Sequence, residues 1–463
     1  MLNVAGDGPA EHGHRSSEVE WSAQMGHPRK SSEMLSPVLR QRHSNQQDEI
    51  LQPTCADHED GTLTPVDLAV EKGLRLRLPV TTESVDLKHA SGRVLAQTLT
   101  AQAPQPYFDY SAMDGYAVNV EDIGSSLPVR LRLIGHIAAS RTKEEITLRT
   151  RSAVRILTGA PIPPGANAVI AQEEIRREGD IVVLSRIPQR GENIRLRGED
   201  VQTGDTLIER RSLMDPRAMG VAASAGIPRV ELFRKLRVAI FSTGSELRQP
   251  GEDIAPGEIY NSNRYILRGL LDKPWIDLID LGTSHDEPKV LRAYMRDAAA
   301  QADVVITTGG VSVGDEDHMA DVVRGCDGTI AVTRVAIKPG KPLTLGQVGQ
   351  AAYIGLPGNP GAVFTTFRVV VDGLLRAWAG LKQRVEPVRP VIADFTWTCR
   401  TGRSTYLPGV LKGYNANGAP LVDVLPRNNS GKLFLLSKAE GFVVIKPDYG
   451  DVKPGDLVGW FAL

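Results

Sequence analysis

Residues 302–322, "ADVVITTGGVSVGDEDHMADV", set an apolar run against a glycine loop and then an acidic helix start. Val304, Val305 and Ile306 followed by two threonines have the β-branched character of a buried strand. Gly309, Gly310 and Gly314 interrupt the chain, and Asp315, Glu316 and Asp317 lead into a helical run. A glycine loop between strand and helix ordinarily cradles phosphate through backbone N–H groups and the positive helix end. Acids on the same rim repel one another, and any phosphate, by about 4 kcal/mol per close unit pair at an effective dielectric near 20. A divalent cation between acids and phosphate reverses that sign. Mg2+ suits a site of few carboxylates plus substrate oxygens, so the acids argue for a metal-bridged phosphate.

The same texture extends on both sides, from Lys235 to about Gly380. "LRVAIFSTG", "WIDLIDLG", "ADVVITTGG", "GTIAVTRVAIK" and "AAYIGLP" read as strands. "SNRYILRGLLD", "DEPKVLRAYMRDAAAQ" and the long "PGAVFTTFRVVVDGLLRAWAG" read as helices. Near-continuous apolar strands between helices predict an α/β layer, a mostly parallel sheet covered on both faces. Its ligand crevice should lie beyond the carboxyl ends of the strands. Three loops fall there: "STGSEL" (242–247), "GTSHDEP" (282–288) and the 307–317 loop. Each joins small residues to an acid, namely Glu246, Asp286 and Asp317. "KPGKP" (338–342) and "LPGNP" (356–360) follow later strands, and Lys338 and Lys341 supply positive charge.

Spacing alone leaves two readings of these acids open. They are metal ligands, or they are helix caps and first-turn residues favoured by the helix dipole. His285 and His318 flank them as ligands or as surface hydrogen-bonding groups; neither has the paired spacing of a zinc site. No GxxxxGK[ST] loop and no GxSxG elbow occurs, which argues against a P-loop nucleotidase and an α/β-hydrolase.

Outside this layer the chain changes character. Residues 1–62 are polar and without lasting period, which predicts a disordered extension. "LTPVDLAVEKGLRL" from Leu63 has helical spacing, with Thr64 as cap and Pro65 just inside. Residues 101–201 hold short strands between Pro and Gly turns, a small all-β module. "SLMDPRAMGVAASAG" is helical again and is expected to pack beside the first helix, which makes the module an insertion. From about residue 385 short strands return as a terminal β domain. No internal repeat is visible.

The 463 residues predict roughly three domains. A formal charge of −1 gives no electrostatic reason to expect nucleic acid or a membrane surface as partner. No apolar run approaches the ~18 residues that span a bilayer, and no basic-then-apolar signal opens the chain, so a cytoplasmic protein is expected. Cys55, Cys326 and Cys399 form neither a disulfide framework nor a zinc motif.

Taken in order, "FDYSAMDGYAV" (108–118), "RILTGAPIPPGANAVI" (155–170), "GENIRLRGED" (191–200), "STGSEL", "IYNSNR" (259–264), "TTGGVSVGDED", "KPGKP" and "LPGNP" closely resemble the molybdopterin molybdenumtransferases. These are the MoeA-type enzymes, also represented by the E domain of gephyrin. The match runs from about residue 63 to the C-terminus. The resemblance implies insertion of molybdenum from molybdate into adenylylated molybdopterin, with Mg2+ and release of AMP. It also implies an elongated split domain (63–100 and 202–234), an inserted β domain (101–201), a molybdopterin-binding α/β domain (235–384) and a C-terminal β barrel (385–463). Members are homodimers whose cleft lies between the α/β domain of one subunit and the β insertion of the other.

By matched position, Asp114, Thr158, Asp200, Glu246, Asp286 and Asp317 correspond to the catalytic set, with Glu246, Asp286 and Asp317 organising the metal. Ser242, Thr243, Gly244, Gly309, Gly310, Ser312, Gly314, Lys338, Lys341, Pro357 and Pro360 correspond to the substrate-binding set. Arg195 and Arg197 are either anion contacts or a solvated strand face. Contacts with the molybdopterin-adenylylating enzyme and with recipient molybdoenzymes are further expectations of the resemblance. The chain departs from the family pattern at Ser245, Asn167, Gly361, Ala362 and Pro408. Two other readings share these motifs: a non-catalytic, gephyrin-like scaffold that keeps the binding fold, and an enzyme of the related adenylylating type.

Overall fold

The computed structural model describes residues 63–463 apart from 77, 79, 141–145, 311–317, 383–386, 399–401 and 427–430. The 1–62 extension, Cys55 and Cys399, and with them Ser312, Gly314 and Asp317, lie outside the described residues.

The α/β layer has six strands: β1 (Leu236–Thr243), β2 (Ile276–Ser284), β3 (Val304–Thr308), β4 (Thr329–Val332), β5 (Thr344–Val348) and β6 (Ala351–Leu356). They lie in the order β2-β1-β3-β6-β5-β4. The first four places are mutually parallel, while β5 runs antiparallel to both β6 and β4. Period-2 alternation sends Val238 and Ile240 to one face and Ala239 and Phe241 to the other. The first pair packs with Leu267 and Leu271 of helix α1 (Ser262–Leu271) and Val363 of helix α4 (Pro360–Thr366). The second pair packs with Leu291 and Met295 of α2 (Pro288–Gln301) and Met319 of α3 (His318–Arg324). Helices thus cover both faces, as near-continuous apolar strands require.

Five details differ from the sequence reading. The helix Val66–Leu74 has Pro65 and not Thr64 at its N-cap, with no side-chain cap bond, and its Ala69 packs in the core of the α/β layer rather than beside the helix Pro216–Ser224, whose Ala222 lies in a separate core. "GTIAVTRVAIK" is not one strand: after Val332 the chain leaves the sheet, and Ile337–Lys338 pairs instead with Ser404–Thr405 of the C-terminal domain. Thr344–Val348, unread in the sequence, forms a hairpin with Ala351–Leu356; its Gly346 dilutes the apolar run that would have marked it. The long last helix contains a π-helical turn, Phe367–Val371, between Pro360–Thr366 and Asp372–Trp378.

The β insertion is a six-stranded sheet in the order 168–171, 115–118, 152–156, 129–137, 181–184, 175–178. Segments flanking it in sequence come together, because Thr82–Asp86 pairs antiparallel with Arg229–Phe233. Asp215 caps the helix Pro216–Ser224, its carboxylate accepting from Ala218 N–H at 2.9 Å. At the C-terminus, strands 404–414, 420–424, 389–393, 457–462 and 441–445 pair in that order, and the last closes onto the first. Closure removes the open edges of this barrel. Among the described residues no helix is long and apolar enough to cross a membrane.

Candidate functional site

Because β1, β2, β3 and β6 are parallel, the loops after Thr243, Ser284, Thr308 and Leu356 share one rim. β5 enters the sheet opposite the end of β6, with Thr344 facing Gly355. "KPGKP" therefore lies on that rim too. Register alone has gathered Glu246, Asp286, Lys338, Lys341, Pro357 and Pro360 along one edge.

A buried polar belt ties the strand ends together beneath the rim. The hydroxyls of Ser242 and Thr308 lie 2.9 Å apart. Asn261 accepts from Arg264 N–H at 3.1 Å, capping α1, and donates its amide to Thr283 Oγ1 at 3.1 Å. Thr243 Oγ1 donates to the Asp286 carboxylate, so one acid of the rim is oriented by a strand-end hydroxyl. Glu246 is exposed and folds over Gly244, where an added Cβ would stand 2.6 Å from Glu246 Oε2. Gly309 is required by the same close approach. Its φ is +90°, and a Cβ there would sit 2.3 Å from the Thr243 carbonyl oxygen.

The two Pro-Gly turns brace one another. Gly340 has φ +110°, and a Cβ would stand 2.1 Å from Thr366 Cγ2 on α4. Asn263 of α1 donates its amide to the Gly358 carbonyl at 2.7 Å, tying "LPGNP" to "IYNSNR". Lys338 is carried by the barrel through its pairing with Thr405, and its Nζ stands 6.0 Å from the Trp397 ring centroid. Lys341 anchors its turn through its backbone carbonyl, which accepts from Val335 N–H at 2.9 Å.

A second group sits in the β insertion. Asp114 immediately precedes the strand Gly115–Val118, and Thr158 follows the strand Ser152–Ile156 that pairs with it. Asp114 Oδ1 accepts from Thr158 N–H at 2.8 Å and from Thr158 Oγ1 at 2.7 Å. The Thr158 backbone N–H and then its hydroxyl, helped by the charge of Arg155, hold the Asp114 carboxyl below its ordinary value. Arg155 donates to the Gly115 carbonyl at 3.1 Å and to Gln172, and its guanidinium carbon lies 5.2 Å from the Tyr116 ring centroid. Sequence reading named neither Arg155 nor Gln172. The strand register that sets Arg155 opposite Tyr116 and brings Gln172 beside Asp114 leaves no mark in the sequence.

Asp200 is exposed in the turn that follows. Arg195 pairs with Glu199 at 3.4 Å, and Arg197 N–H is held by Asp109 at 2.7 Å. Among the described residues no hydrogen bond or ion pair links Asp114, Thr158 or Asp200 to the rim. Nor do three acids, histidines or cysteines there gather within reach of one metal ion.

Three consecutive parts of the chain match family descriptions: residues 64–226 the MoeA N-terminal region (domain I and II), 239–377 a probable molybdopterin binding domain, and 390–463 the MoeA C-terminal region (domain IV). Over 386 residues the chain is 36% identical to a molybdopterin molybdenumtransferase of Haemophilus influenzae, covering 83% of this chain and 94% of that one. A Nostoc protein of the same name is 37% identical over 337 residues, covering 71% and 77%. The fold superimposes on the crystal structure of a molybdopterin biosynthesis MoeA protein from Pyrococcus horikoshii with a TM-score of 0.74. That comparison has 28% identity and covers 87% of this chain and 100% of the other. The chain belongs to the MoeA family of molybdopterin molybdenumtransferases.

Proposed function

We propose that the chain transfers molybdenum from molybdate into adenylylated molybdopterin and releases AMP, the closing step of molybdenum cofactor biosynthesis. The observation that carries this is the shared rim. Asp286 oriented by Thr243, the neighbouring Glu246, two lysines and glycine-tight turns lie along the carboxyl edge of a parallel sheet, in a chain that matches the family through all three regions. A scaffold without turnover would not need Asp286 held by Thr243 or Asp114 held twice by Thr158.

The donor set at the rim is made of hard carboxylate and hydroxyl oxygens, the chemistry Mg2+ prefers. Glu246 and Asp286, with Asp317, would hold that ion. Bound there, Mg2+ would offset charge on the phosphoanhydride oxygens. Lys338 and Lys341 bind the anionic oxygens of phosphate or molybdate. Gly309 and Gly310, with Ser312 and Gly314 as the resemblance implies, would cradle the phosphate of the pterin substrate; Ser242, Thr243 and Gly244 support that loop from beneath, and Pro357 and Pro360 keep the adjoining turn rigid. The residues stabilise charge as water, and not a side chain, attacks the phosphoanhydride, its oxygen forming the new P–O bond while AMP departs.

Asp114, Thr158 and Asp200 complete the site from a second copy of the chain. Their separation from the rim in bonding terms supports a homodimeric arrangement. Incubation with adenylylated molybdopterin, molybdate and Mg2+ tests the reading. AMP and metallated pterin should appear together and only with all three present; an unchanged AMP level overturns it.

A further inference from the structure

The amino edge of the α/β sheet, opposite the rim, holds a cavity of about 560 Å3. Arg237 at the start of β1, Asp303 just before β3, Arg296 and Ala299 in the last turns of α2, Cys326 after α3 and Val348 at the end of β5 line it. The five residues of β3 put it roughly 15 Å from the rim. Its size falls within the range of small-molecule sites.

Two arginines, Arg237 and Arg296, and one acid, Asp303, line this cavity. Asp303 is its acid, 2% exposed, and its carboxylate is already saturated. It accepts from Arg234 at 2.9 and 3.0 Å, from Arg237 N–H at 2.8 Å and from Arg237 Nη2 at 3.2 Å. Arg234 makes the two-pronged pair with Asp303, while Arg237, which also has Asp277 as its cross-strand neighbour, gives Asp303 only one guanidinium nitrogen. Arg237 spends one guanidinium nitrogen on Asp303, and its buried Nε has no partner. Arg296 gives Nη2 to the Gly325 carbonyl at 3.0 Å, which caps the end of α3, and keeps its other donors. Cys326 adds no competing anion, since burial pushes its thiol up. Ala299, Ala300 and Ala302 add small apolar side chains to the lining.

We propose that this cavity is a second binding site, separate from the rim, for a small organic anion whose single phosphate or carboxylate group bridges Arg237 and Arg296 and whose apolar body lies on the alanines. Two guanidinium groups with unused donors suit either anion, because each matches a planar or tetrahedral oxyanion through charge-assisted hydrogen bonds.

Calorimetric titration of the full chain tests this, with rim lysines removed (Lys338→Gln with Lys341→Gln) so that anion binding at the rim is silent. Inorganic phosphate, AMP and succinate are the probes, titrated separately. At least one should bind saturably in that background. Arg296→Gln, which removes a single exposed bond, should weaken it about tenfold, and Arg296→Lys should restore most of it. Phosphate or AMP responding identifies a phosphate site, and succinate a carboxylate site; either supports the assignment. Failure of all three probes, or equal binding in Arg296→Gln, overturns it. Binding of a Glu-rich peptide without any small anion also overturns it, in favour of a protein partner. None of these outcomes bears on AMP release at the rim, so the two proposals fail separately.

Discussion

Asp286 is exposed but not free, because the Thr243 hydroxyl fixes one of its oxygens at the end of β1. Asp286→Asn keeps that bond and removes the charge. We expect AMP release to fall by about 100-fold or more, with the thermal midpoint within about 1 °C of wild type, as befits a surface position. Thr243→Val leaves the charge but lets the carboxylate turn, and should lower kcat/KM by about tenfold. Asp303 calls for the opposite experiment, since it has no part in the rim. Burial pushes its carboxyl up, but the hydrogen bonds of Arg234 and Arg237 outweigh this and hold it below its ordinary value. A carboxyl depressed on folding adds stability above its unfolded pKa, near 3.9, and loses it as pH falls through the lower folded value. Asp303→Asn should therefore cost about 2–3 kcal/mol at neutral pH in urea unfolding. The gap from wild type should narrow below pH ~4; a gap independent of pH would assign the loss to packing. Asn167, a departure from the family pattern, has a local cause: its amide donates to Glu121 and its carbonyl accepts from Val120 N–H at 2.8 Å. An aspartate could not make the first of these bonds.

At the scale of elements, the turns decide how the rim is built. Gly340→Ala puts a methyl where Thr366 Cγ2 already stands and at a φ that alanine resists. It should destabilise the chain by about 3 kcal/mol and displace Lys338 and Lys341. Adding Thr366→Ser removes the colliding methyl and should return part of both stability and AMP release. No recovery would place the whole cost in the backbone angle. These positions also show what the sequence could convey. Apolar-rich runs closed by Gly or Pro marked β1, β2, β3 and β6, and parallel pairing then dictated that their loops share an edge. β5 stayed hidden because Gly346 and Gln347 break its apolar text. The departure of Ile337–Lys338 to the barrel is a tertiary choice that no local pattern records. Arg155 and Gln172 were invisible for the same reason, since a cross-strand register brings them to Asp114.

For the whole molecule, the division of the acids is the decisive feature. Glu246 and Asp286 stand on the α/β rim, while Asp114, Thr158 and Asp200 belong to the β insertion, and among the described residues no hydrogen bond or ion pair joins the two sets. A two-fold pair of chains would give two equivalent sites, each built from both copies. The Asp114→Asn and Asp286→Asn variants, each inactive alone, measure this directly when dissociated, mixed in equal amounts and reassociated. Random exchange makes half the pairs mixed, and each mixed pair keeps one intact site of two. AMP release should therefore recover to about a quarter of wild type. A mixture that stays as inactive as its components would contradict a site shared between copies.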